Sequence, residues 1–150
     1  MACEKEDDAT KNEQAKELIT GFVIIDPDNN PIQDIGEPNE QHFTGGSVAV
    51  SSYPNPTMNV ITVSVSSSTP SKMSVWLTFA QLDQSLKTTT YYMPPAGTPG
   101  TVAQEFAADM DVAGNVSFDV NITALPPGPY RLYFKMGQEL AWRNVIIKRQ

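Results

Sequence analysis

The chain has 150 residues, 40% of them hydrophobic and 18% charged, with a formal net charge of −7, one histidine and one cysteine. This is one domain's length, too apolar for a disordered chain, and it lacks the run of about 20 apolar residues that a membrane-spanning helix needs. The acidity argues against a nucleic-acid partner, and a single His and a single Cys exclude a multi-ligand zinc site or a disulfide framework within the chain.

The charge is unevenly spread. Residues 1–40 carry eleven of the seventeen acids and three of the ten bases. Residues 1–20 are polar, with almost nothing apolar before Leu18 and Ile19, and read as an acidic flexible tether. Residues 21–150 read as a single domain. Phe22–Ile25 is a short apolar run closed by the turn signal Asp26-Pro27-Asp28-Asn29-Asn30-Pro31. Polar sequence with Pro and Gly follows to Gly46.

Strand-like segments then come near 47–52, 58–66, 72–80, 86–93, 101–108, 115–123, 129–136 and 139–148. Ile61, Val63 and Val65 alternate with Thr62 and Ser64. Met73, Val75, Leu77 and Phe79 alternate with Ser74, Trp76 and Thr78, and the same period recurs in 116–122 and 130–136. Period two with one polar face predicts half-buried antiparallel strands. Twelve prolines and nine glycines fall largely at the joints. The expected fold is all-β, an Ig-like antiparallel sandwich of seven to nine strands. Tyr130 is expected to point inward and to cap a backbone carbonyl at a strand corner.

Two segments carry a resemblance. Tyr53-Pro54-Asn55-Pro56 leads into the strand Val60–Val65. Leu125-Pro126-Pro127-Gly128-Pro129-Tyr130 opens a hairpin that turns at Gly137 and ends in Val145-Ile146-Ile147-Lys148-Arg149. Residues 53–149 thus resemble the C-terminal sorting domain of type IX secretion cargo from Bacteroidetes. The resemblance implies an Ig-like fold and recognition by an export machine through the last hairpin. Few residues precede position 53, so a free-standing relative of that fold is expected rather than a cleavable tag.

Ala2-Cys3 resembles the end of a bacterial lipobox, and Glu4-Lys5-Glu6-Asp7-Asp8 resembles the export signal of surface lipoproteins in Bacteroidetes. Cys3 is therefore the expected lipidation site. Acyl chains there would contribute about 0.8 kcal/mol per buried methylene toward membrane anchoring. The implied location is the cell envelope, on the outer membrane and surface-exposed. The alternative is a free cysteine in a charged tail.

Little of the sequence suggests catalysis. His42, between Gln41 and Phe43, reads as a surface histidine. There is no Gly-x-Ser-x-Gly elbow and no phosphate-binding glycine loop. Asp26, Asp28, Asn30, Asp34 and Glu37 stand at calcium-loop spacing, but Pro31 replaces the glycine that such a loop turns on. A Pro- and Asn-rich turn is the plainer reading, and no cofactor is otherwise expected. Trp76 and Tyr133 fall on the polar faces of their strands, and Tyr91-Tyr92 must place one ring on each face. Such rings can stack on a sugar or on another protein. Alternatively, the segment 21–45 covers Trp76. The expected function is that of a non-catalytic, lipid-anchored binding or accessory module with a surface protein or glycan as partner. A secretion-signal module and a carbohydrate-binding module are the alternatives.

Overall fold

The computed structural model describes residues 17–45 and 47–149. Cys3 lies outside the described residues. The fold is all-β and built mainly of antiparallel sheets. Its strands are β1 (Leu18–Ile19), β2 (Gly21–Ile25), β3 (Pro31–Gly36), β4 (Val48–Tyr53), β5 (Val60–Phe79), β6 (Gln81–Leu82), β7 (Val102–Asn121), β8 (Gly128–Met136) and β9 (Glu139–Ile147).

Five of them form one sheet in the order β4-β5-β8-β9, with β7 also paired to β5. Two strands of 20 residues, β5 and β7, organise it. The first part of β5 lies between β4 and residues 114–121 of β7. Its second part lies between β8 and residues 102–112 of β7. The segments expected at 58–66 and 72–80 are therefore one strand, and so are those at 101–108 and 115–123. Pro70 lies within β5 and cannot donate to a ladder. The ladder instead shifts between Ser67 and Ser71, a bulge that absorbs the proline, and Gly114 sits opposite Ser67 at φ 66°.

The alternating apolar residues face one core. Ile61, Val63 and Val65 share it with Met73, Val75 and Leu77, and with Leu132, Phe134 and Val145 from β8 and β9. Tyr130 is fully buried and its hydroxyl donates to the Pro126 carbonyl at 2.6 Å, the expected corner contact. Burial pushes its pKa up to about 12.

Residues 86–93 are not a strand. Asp83 caps a single 3-10 turn, Gln84–Leu86, by accepting from the Ser85 amide at 3.0 Å, and the Thr89 hydroxyl donates to the Leu86 carbonyl at 2.8 Å. These local side-chain bonds give the backbone partners that a ladder would otherwise supply. Leu86 drops into a second apolar cluster with Ile19, Phe22, Ala80, Leu82 and Ile146.

That cluster moves the domain boundary. Glu17 and Ile19 are buried, so the ordered body begins no later than Glu17 rather than at residue 21. β1 runs parallel to β6, with the Asp83 amide donating to the Ile19 carbonyl at 2.8 Å. Residues 17–24 form a strap across the outer side of β8 and β9.

Candidate functional site

The outer side of the β5-β8-β9 region carries a row of rings. Trp76 on β5 stands opposite Tyr133 on β8, and Tyr133 stands opposite Trp142 on β9. Trp76 and Tyr133 are stacked, with centroids 5.3 Å apart and planes 17° apart. Tyr133 and Trp142 are tilted at 5.8 Å.

Most of this row is closed by the strap. Arg131, with 1% side-chain exposure, meets Glu17, with 7%. Its Nη1 donates to Glu17 Oε2 at 3.1 Å, its Nη2 to the Leu18 carbonyl at 3.0 Å and its Nε to Asn144 Oδ1 at 3.0 Å. Its guanidinium lies 5.2 Å from the centre of the Trp142 ring. The Tyr133 hydroxyl donates to the Glu17 carboxylate, 2.6 and 2.7 Å from its two oxygens. Asn144 Nδ2 donates to the Gly21 carbonyl and to Asn39 Oδ1, and Trp142 Nε1 donates to the Asn39 carbonyl. Among the described residues every buried side-chain nitrogen and oxygen has a partner. Burial outweighs these donors and raises the Glu17 carboxyl pKa. Burial also raises Tyr133, and the adjoining Glu17 charge adds to that shift. Glu40, which accepts from the Asn144 amide at 2.9 Å, is raised by burial as well.

This corrects the expectation for Tyr133. Its ring is 3% exposed and cannot receive a ligand, because Glu17 covers the hydroxyl that strand alternation alone would place in solvent. Tyr91 and Tyr92 are not on a strand, so they do not take opposite faces of one. Both pack at the rim of the second cluster. Tyr91 meets Phe22 edge-on at 5.3 Å and lies under Lys148 Nζ at 4.9 Å. The Tyr92 hydroxyl accepts from Gln84 Nε2 at 3.2 Å.

Trp76 differs from the others. It is half-buried and lines an open depression of about 270 Å³ with Ser74, Val102, Glu105, Ala107 and Ala108. One ring face rests on Tyr133, and the other looks toward β7, where Glu105 occupies the position opposite. Residues 21–45 therefore do not complete the cover over Trp76; the strap closes over its neighbours.

In the structure the oxygen-bearing residues of the acidic loop are spread along a hairpin rather than gathered at one point. Asp26 turns the β2–β3 hairpin by accepting from the Asp28 and Asn30 amides, each at 2.9 Å, and from Asn30 Nδ2 at 3.3 Å. The Asn30 amide is the main reason its carboxyl lies below the usual range. Residues 31–36 are extended as β3, at about 3.3 Å per residue. Asp34, opposite Val23, is thus carried away from the turn, and Glu37 lies beyond the far end. Among the described residues, no group of three or more His, Cys, Asp or Glu side chains is placed to hold a metal. His42 is exposed, and the Arg143 charge lowers its pKa.

No family model, curated protein or solved structure matches the chain. The likeness to a sorting domain rests on its motifs alone. Among the described residues no helix is long and apolar enough to cross a membrane.

Proposed function

We propose that the protein is a lipid-anchored, non-catalytic binding module of the cell envelope, held by Cys3 and meeting its partner at the depression beside Trp76. The observation that carries the binding half is a contrast. The polar groups of Arg131, Tyr133, Asn144, Asn39 and Glu17 are engaged with the protein's own chain, while Trp76 keeps one ring face open. An aromatic side chain half-buried in an apolar hollow is a common anchor point for a partner. The Ig-like sandwich belongs to the same reading, supported by the long β5 and β7 strands whose two parts share one core.

An export-signal role for residues 53–149 fits less well. Their last hairpin leans on Glu17, Leu18 and Gly21 for its buried polar partners.

The test uses the full chain in its native envelope. Cys3→Ala is expected to release it from the membrane fraction, and retention would refute the anchor. A photoreactive residue in place of Ala108 is expected to give a discrete adduct that Trp76→Leu abolishes. An adduct indifferent to Trp76, or none at all, would refute the binding surface.

A further inference from the structure

Four of the six acids in residues 41–150 lie on one strand, β7: Glu105, Asp109, Asp111 and Asp119. β7 has no lysine or arginine, and all four acids are exposed. Asp111 is matched by Lys72 at 2.8 Å, and Asp119 accepts from the Thr62 hydroxyl at 2.7 Å. Glu105 is the acid that faces the Trp76 depression.

The depression joins three features. The open face of Trp76 bounds one side, Glu105 contributes a carboxylate, and Val102, Ala107 and Ala108 make small apolar walls. Ser74, the remaining polar residue of the lining, already accepts from the Asp109 amide at 3.0 Å. A sugar needs several donors and acceptors around its stacking ring, and this hollow offers mainly one anionic group. An indole face next to a carboxylate in an apolar hollow instead matches a cation carried on a hydrocarbon stem. Neither Lys135, opposite Ser74, nor Lys72, paired with Asp111, lines the hollow.

A larger hollow of about 410 Å³ beside Trp142 and Glu139 has its ring met by the Arg131 guanidinium and its carboxylate by the Thr44 hydroxyl at 3.0 Å. A further hollow, lined by Ala49, Ser51, Ser64, Ser66, Asn115 and Ser117, has neither ring nor charge. Its hydroxyls bond among themselves, as between Ser64 and Ser117 at 3.3 Å.

We infer that the Trp76–Glu105 hollow binds a lysine or arginine side chain presented by a partner protein. This rests on the binding-module reading and names the chemistry of its ligand. A protein rather than a free small cation is favoured by the strand beside the hollow. Among the described residues β7 pairs only with β5, so its outer edge offers backbone donors and acceptors to an extended segment that carries the side chain.

The probe is a capped heptapeptide of alternating threonine and lysine, added to the full chain and followed by the nuclear resonances of the Trp76 indole and the Ala107 and Ala108 amides. The Trp142 indole, bonded to the Asn39 carbonyl, is the internal control. Saturable shifts at Trp76 are expected. The affinity should fall at least about fivefold in Glu105→Gln, at high salt, and when norleucine replaces lysine. Glu105 is exposed, so Glu105→Gln is expected to keep the fold; Trp76→Leu is read only where its unfolding midpoint is unchanged. Equal binding of the norleucine peptide, or no effect of Glu105→Gln, would overturn the inference. Shifts at Trp76 from glucose or N-acetylglucosamine with a silent lysine peptide would also overturn it, yet leave the binding-module reading standing. Silence from every probe overturns it too, and the Ala108 cross-link then decides the broader reading by itself.

Discussion

Replacing Glu17 by alanine tests whether the strap is part of the folded body. The substitution removes the carboxylate to which Arg131 Nη1 donates at 3.1 Å and the Tyr133 hydroxyl at 2.6 Å. Breaking a buried ion pair from one side typically costs about 3–5 kcal/mol, because the other charge stays buried without its partner. Arg131 keeps Asn144, the Leu18 carbonyl and the Trp142 ring, which places the expected loss near about 3 kcal/mol. In a chain of this length that corresponds to a fall of about 6–12 °C in Tm. The raised pKa of Glu17 shows that burial opposes its charge, so the pair itself adds little beyond what two apolar groups would. The double variant Glu17→Ala, Arg131→Met should therefore fall short of the sum of the two singles by about 2 kcal/mol or more. Urea denaturation at pH 7, followed by fluorescence and circular dichroism together, gives these differences. A loss below about 0.5 kcal/mol for Glu17→Ala, or additive singles, would refute the reasoning.

Three further substitutions probe the parts around it. Asn144→Leu keeps the branched shape but removes the donor to the Gly21 carbonyl and the acceptor for Arg131 Nε, and is expected to lower stability by about 3 kcal/mol in the same assay. Gly21→Ala would drive a Cβ onto the Glu37 backbone and to 2.6 Å from the Ile35 carbonyl oxygen; a loss of about 2 kcal/mol or more is expected, with β2–β3 amides exchanging first. Asp26 has a lowered folded pKa, so its contribution is present above its ordinary value of 3.8 and is lost as pH falls through the folded value. The stability gap between the wild type and Asp26→Ala should thus shrink on acidification; a gap constant from pH 6 to pH 2 would contradict the turn assigned to it.

Much of the fold was legible because it depends on period two. β4, β8 and β9 fall within about a residue of the spans expected at 47–52, 129–136 and 139–148. The elements that were not legible are those set by distant partners. Leu18–Ile19 is too short to show a pattern and exists because β6, some sixty residues later, accepts it. Arg131 reads as solvent-facing by alternation and is among the most buried side chains. The signal that marks that face was present: Arg131 and Tyr133 on β8 and Trp142 and Asn144 on β9 make it bulky and aromatic, more than a solvated face requires. A cover from the segment 21–45 was the alternative for Trp76; the cover instead begins at Glu17 and lies over Arg131, Tyr133 and Asn144, a pairing between distant parts of the chain that no local pattern marks.

The Trp76 hollow shows the same limit at the scale of one residue. Trp76 was singled out from the sequence, but Glu105 was not. Continuing the register from Met73 opposite Met110 without a break would set Ala107 opposite Trp76. Two successive register shifts, one before Val75 and one after it, bring Glu105 there instead. A bulge re-aims the side chains that follow it, and here it exchanges a methyl group for a carboxylate next to the open indole face. The charge preference of the hollow is therefore a property of the bulged register and not of any motif.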